Sequence, residues 1–183
     1  MKTKFNQRKI KLAIASAIIA AGAAGLSATS YADDVTMDVT ASVSMSCTFS
    51  AGALAFGTYD PFGAHATQDL RATATVSTTC TSGATGVVTM TGGLHPTYCM
   101  SSKCYRRMAN AGETSFLRYN IYTNASYSWG YVWTDNPVDV KTVGHVTGSG
   151  ISQDLTVYGE VHKNQTNASA GSYTDRINVT LRF

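Results

Sequence analysis

The sequence predicts an all-β sandwich. Three observations carry this expectation. Helical periodicity is absent after residue 32, apolar and polar residues alternate in short runs, and Gly, Asn, Asp and Ser separate those runs. Successive side chains of an extended chain point to opposite faces. Alternating runs bounded by turn residues are therefore half-buried strands of a sandwich or barrel.

Residues 1–32 read as a secretory signal. Lys2, Lys4, Arg8, Lys9 and Lys11 form a basic start, an apolar run of Leu, Ile, Ala and Gly follows, and Ser30-Tyr31-Ala32 supplies small residues for cleavage. The apolar run is shorter than the roughly 20 residues that span a bilayer, so no stable membrane anchor is expected. The signal holds five of the fourteen basic residues and none of the eleven acidic ones, which leaves nine against eleven in the exported part. That balance offers no basic patch for nucleic acid.

Residues 33–47 alternate without a break. Val35, Met37, Val39, Ala41, Val43, Met45 and Cys47 share one face, and Thr36, Asp38, Thr40, Ser42, Ser44 and Ser46 the other. The run is more than twice the usual strand of about 5–6 residues. This points to two roles in succession: a free apolar edge that plugs into a neighbour, then the domain's own first strand, with the switch near residues 42–46. The plain alternative is that the whole run begins the domain's own first strand.

Further along, Leu54 and Phe56 lead into a bend at Gly57 to Pro61. Alternation predicts strands at 70–80, 86–91, 116–123, 129–133 and 154–161, with a glycine-broken stretch at 142–150 and a polar loop at 163–171. The last strand carries Ile177, Val179, Leu181 and Phe183 and ends the chain. Residues 33–183 contain no linker that would divide them into two globular domains.

Four cysteines in an exported chain favour disulfides. Of the three possible pairings, Cys47–Cys80 and Cys99–Cys104 are the expected ones. The first would join the end of the N-terminal run to the end of the next long strand. Cys99 and Cys104 lack a second Cys/His pair at zinc spacing, so no metal is expected.

His65, His95, His145 and His162 are scattered among loop-like stretches and are expected to face solvent. Asp60, Asp69, Asp135 and Asp175 read more simply as turn formers than as a catalytic carboxylate pair. Trp129, Tyr131 and Trp133 read as core and interface aromatics rather than a sugar-binding platform. No catalytic residue, enzyme activity or cofactor is expected.

Several segments together resemble a known family. They are Cys47-Thr48-Phe49 with Phe56-Gly57-Thr58-Tyr59-Asp60-Pro61, then Arg106-Arg107-Met108, then Leu117-Arg118-Tyr119-Asn120-Ile121-Tyr122 and Trp129-Gly130. Val157-Tyr158-Gly159, Gly171-Ser172-Tyr173-Thr174-Asp175 and the terminal strand ending in Phe183 complete the set. In order and spacing they are similar to the spore coat U domain, found in secreted coat proteins and in the pilins of archaic chaperone–usher pili. The Cys99–Cys104 insert and the segment 127–133 are less typical of it.

The resemblance implies an incomplete immunoglobulin-like β-sandwich that lacks one strand. A periplasmic chaperone would fill the gap first. At the outer-membrane usher, the N-terminal strand of a neighbouring pilin would replace it. On this reading 1–32 is the signal peptide, 33–43 the donor strand and 44–183 the sandwich domain of a surface pilus subunit serving adhesion and biofilm formation. Val35, Met37, Val39, Ala41 and Val43 form the plug, and Ile177, Val179, Leu181 and Phe183 one wall of the acceptor groove. Burying the plug contributes on the order of 5–10 kcal/mol, less the entropy of ordering a free tail. The alternative function is a stand-alone secreted coat-like or adhesin domain that keeps its own N-terminal strand.

Overall fold

A computed structural model describes residues 33–100 and 102–183. The predicted signal peptide lies outside the described residues. Among the described residues, no helix is long and apolar enough to cross a membrane.

The chain divides between Ala41 and Ser42. In the first unit, the described residues 33–41 form no strand, and Val35, Met37 and Val39 are 92%, 86% and 87% exposed. Residues 42–46 of the second unit likewise form no strand, and Val43 is 85% exposed.

Among the described residues the second unit has ten strands. They are β1 (Cys47–Ala51), β2 (Leu70–Cys80), β3 (Thr85–Met90), β4 (Thr97–Met100), β5 (Lys103–Asn110), β6 (Phe116–Tyr122), β7 (Gly144–Thr147), β8 (Ser152–Val161), β9 (Tyr173–Thr174) and β10 (Val179–Arg182). A seven-stranded sheet runs β1-β2-β8-β6-β5-β4, with β9 also paired to β5, and a three-stranded sheet runs β10-β3-β7. Every pairing is antiparallel.

Alternation explains the core. Val76, Leu117, Tyr119, Ile121, Val157 and Val161 come from the larger sheet, and Val88, Met90 and Val146 from the smaller. Trp133 fills the space between, buried, with its indole N–H donating to the Val88 carbonyl at 3.0 Å. Polar residues take many of the intervening positions, although Thr89, Asn120 and Glu160 among them are buried too.

The disulfides join Cys47 to Cys80 and Cys99 to Cys104, the pairs expected from the sequence. Cys47 and Cys80 are directly opposite each other in the β1–β2 register, so the bridge fastens the start of the domain to the end of its longest strand.

Four expectations need correction. Residues 129–133 do not form a strand: Trp129–Tyr131 is a 3₁₀ turn, and only Val132 makes an isolated bridge, to Tyr122. The terminal strand is not continuous, because β9 belongs to the larger sheet and β10 to the smaller. The hairpin of β4 and β5 went unpredicted, since Arg106 occupies an inward position and breaks the apolar alternation. The histidines do not all face solvent from loops. His145 is exposed but lies on β7, while His65, His95 and His162 are half-buried. Burial lowers the His162 pKa below the usual histidine value.

Candidate functional site

The two sheets do not close on each other along one side. β1 pairs only with β2, and β10 only with β3, so each sheet presents a free edge among the described residues. Between these edges runs an open cleft of about 530 Å³ that reaches Ala51 of β1 and Val179 of β10, and a second of about 810 Å³ adjoins it along residues 54–62 and 168–173. They share Leu54, Phe56, Met108 and Tyr173 as lining, which makes them one continuous groove. Core residues Val76, Met90, Ile121 and Val157, themselves buried, form its floor, so the groove reaches down to the hydrophobic interior. An exposed apolar groove beside unpaired strand edges is a template for an incoming strand.

One wall is the segment 51–59 that follows β1. It leaves the sheet after Gly52 donates to the Thr75 carbonyl at 2.8 Å. Its Leu54 and Phe56 side chains then lie over Gly159 of β8, where a Cβ would stand 2.6 Å from Leu54 Cδ2 and 2.8 Å from Phe56 Cζ. The missing side chain is what lets Leu54 and Phe56 enter. Phe56 meets Tyr119 edge-to-face at 5.9 Å, an arrangement aromatic pairs favour.

The other wall is the terminal strand where it crosses from one sheet to the other. Asp175 pins the crossing. Its carboxylate accepts from the Tyr119 hydroxyl at 2.6 Å and from the backbone N–H groups of Leu94 and Arg176 at 2.8 and 2.7 Å. Burial and then the bond to Asp175 push the Tyr119 pKa well above the usual tyrosine value. Gly93, with φ of +86°, sits against the same carboxylate, where a Cβ would collide with Asp175. Beyond the crossing, Asn178 and Thr91 exchange hydrogen bonds at 3.1 Å in both directions.

Arg106 braces the interior from β5. It is buried, and its Nε and Nη2 donate to the Thr91 carbonyl at 3.1 and 2.8 Å while Nη2 also donates to the Trp133 carbonyl at 2.7 Å. A strand of the larger sheet thereby grips the end of β3 in the smaller one. Desolvation lowers the Arg106 pKa to about 10.

Of the residues predicted for the acceptor wall, Ile177 and Val179 line the groove. Leu181 is half-buried against the core, and Phe183 is 60% exposed at the chain end. Leu54, Phe56, Met108 and Tyr173 were missed as groove residues. Leu54 and Phe56 carried a usable signal: two alternating apolar residues just before a turn, in a segment too short to be a strand of its own.

Elsewhere, Asp69, Glu160 and His162 place one possible metal-ligand atom each within 4.8 Å of one another. The carboxylates already serve protein partners: Glu160 pairs with Arg71 at 2.9 Å, and Asp69 accepts the Lys163 N–H at 2.9 Å. Asp60 accepts from the N–H groups of Phe62 and Gly63 at 3.1 and 2.9 Å, the role of a turn former.

Comparisons with known proteins agree with this architecture. The chain is 32% identical over 185 residues to Protein U of Myxococcus xanthus, covering 95% of this chain and 98% of that protein. Its fold is similar to a chain in the chaperone–tip adhesion subunit pre-assembly complex of the archaic chaperone–usher Csu pili of Acinetobacter baumannii. That match has a TM-score of 0.52 and 18% identity, and covers 77% of this chain and 40% of that one. The Spore Coat Protein U domain model matches residues 33–180. The chain belongs to the Spore Coat Protein U domain family.

Proposed function

We propose that the chain is a structural subunit of a secreted surface pilus, exported through the periplasm and assembled by donor-strand exchange, serving adhesion and biofilm formation. The observation that carries this reading is the open groove between β1 and β10, floored by core residues and bordered by unpaired strand edges. The exposed alternating residues Val35, Met37, Val39, Ala41 and Val43 supply a segment of matching chemistry. A neighbour's segment 33–43 enters the groove as an added strand, its backbone pairing with the free edges and its apolar side chains covering the floor. Before assembly a periplasmic chaperone occupies the groove, and an outer-membrane usher exchanges it for the next subunit. Because donor and acceptor are different surfaces, the contact is head-to-tail and builds an open fibre. The fold likeness to a chain from a chaperone–subunit complex of Csu pili supports the same reading.

The test is Val39→Asp in the full chain, read on a denaturing gel without boiling. The native chain gives a ladder of heat-sensitive multimers, and the variant loses it. A variant that keeps a normal ladder contradicts the plug assignment.

A second reading rests on the near full-length similarity to Protein U. On it, the chain is a stand-alone secreted coat-like or adhesin domain that fills the groove with its own N-terminal run. The same gel then shows one sharp monomer band.

A further inference from the structure

The outward face of the larger sheet holds two arginines without a salt-bridge partner among the described residues. Arg107 on β5 and Arg118 on β6 are directly opposite each other in the antiparallel register. Like charges so placed repel and destabilise a strand pair. Among the described residues, the carboxylates pair with Arg71 and Lys103 and lie near His95 and His162, and neither Arg107 nor Arg118 takes part in a salt bridge. Glu113, on the turn between the two strands, pairs with His95 at 3.9 Å instead.

Both arginines line a concave cavity of about 280 Å³ whose walls include Phe116, Gln165 and Asn167. Those walls are held in place. Arg107 donates from Nε to the His95 carbonyl at 3.2 Å and lies over the Phe116 ring at 4.2 Å from its centroid, a stabilising cation–π distance. Gln165 is buried and fully used: Oε1 accepts the Arg118 N–H at 2.7 Å, and Nε2 donates to the carbonyls of Arg118 and His162 at 2.9 and 2.7 Å. It clamps the loop after β8 onto β6 and sets Asn167, exposed, at the rim.

We propose that this cavity binds an oxyanion carried on a single sugar unit of an acidic polysaccharide. A carboxylate or sulfate between the two guanidinium groups would turn their repulsion into two charge-assisted hydrogen bonds. The volume lies just under the roughly 300 Å³ lower end of small-molecule sites, which suits one hexose-sized ring. Asn167, exposed on the same lining, offers an amide to a sugar hydroxyl. With nine basic against eleven acidic residues after position 32, the chain lacks the broad positive field a nucleic acid needs. Recognition is local: one charge and one ring.

The test is calorimetric titration of the full secreted chain with trigalacturonic acid, neutral galactotriose and a glutamate tripeptide. The acidic sugar binds, and the neutral sugar and the peptide bind at least about tenfold more weakly. Arg107→Gln and Arg118→Gln each weaken acidic-sugar binding by about tenfold. Arg71→Gln, on the same face but paired with Glu160, leaves it unchanged. Absence of acidic-sugar binding, equal binding of the neutral sugar, or full binding by the doubly substituted chain overturns the proposal. Equal binding of the peptide overturns the sugar assignment. A second measurement needs no ligand. Arg118→Gln raises the unfolding midpoint of the free chain by removing the repulsion, and a lowered midpoint shows a structural arginine and contradicts the site.

Discussion

Tyr119 donates its phenolic hydrogen to Asp175 across 2.6 Å, from the central part of one sheet to the point where the terminal strand crosses to the other. That bond ties the terminal strand at the groove wall to Tyr119 of the larger sheet. Hydrogen bonds to charged groups contribute about 1.5–3 kcal/mol. Tyr119→Phe is therefore expected to lower stability by about that amount in urea unfolding, and Asp175→Asn by a similar amount. Loss from both together should be less than the sum, because the residues share one bond.

Alkaline pH should destabilise the protein, and the sign follows from three buried groups. Tyr119 and Tyr122 are raised above their ordinary value of 10, first by burial. A raised pKa contributes stability below the unfolded value, and this is lost as pH climbs past it. Arg106 acts in the opposite sense, since burial lowers it from 12.5 to about 10. Its charge is costly to bury, and that cost is relieved as pH rises. Two tyrosines outweigh one arginine, so urea midpoints fall between about pH 10 and about pH 12. In the Tyr119→Phe/Tyr122→Phe double variant this alkaline fall is largely lost.

Replacing Arg106 by Met removes the donor from the Thr91 and Trp133 carbonyls. Each buried carbonyl left unpaired costs about 1–3 kcal/mol. The variant should unfold at markedly lower urea, and the near-ultraviolet circular dichroism of buried Trp133 should weaken. Arg106→Lys recovers only part of the loss, because one ammonium cannot reproduce the guanidinium fork.

The two disulfides should differ in weight. Cys47–Cys80 closes a separation of 33 residues and Cys99–Cys104 one of 5. Loop-closure entropy assigns them about 4 and about 2 kcal/mol. Paired serine substitutions followed by urea unfolding check the order. A larger loss at the short hairpin would contradict it.

Much of the fold was legible because alternation is a local property. The expected strands 70–80, 116–123 and 154–161 appear as Leu70–Cys80, Phe116–Tyr122 and Ser152–Val161, although only β2 alternates in burial throughout and β6 and the end of β8 are buried on both faces. What stayed hidden depends on distant partners. Arg106 occupies a core position by binding two carbonyls that no local pattern reveals. The break between β9 and β10 is set by Tyr119 and Leu94, far away in sequence. Trp129 alternates with Tyr131 like a strand, yet it curls into a turn and stacks on Tyr105 with ring centroids 4.6 Å apart. The groove was half visible. Ile177 and Val179 belong to a clear alternating run, whereas Leu54, Phe56, Met108 and Tyr173 meet only after the chain has folded.

Amide hydrogen exchange on secreted material, compared with separated subunits at high dilution, tests the central claim most directly. The account predicts slow exchange for residues 35–43 and for the free edge of β10 in the assembled form, and fast exchange at both places in the separated chain. Fast exchange in the assembled form, or equal protection in isolated subunits, would contradict it.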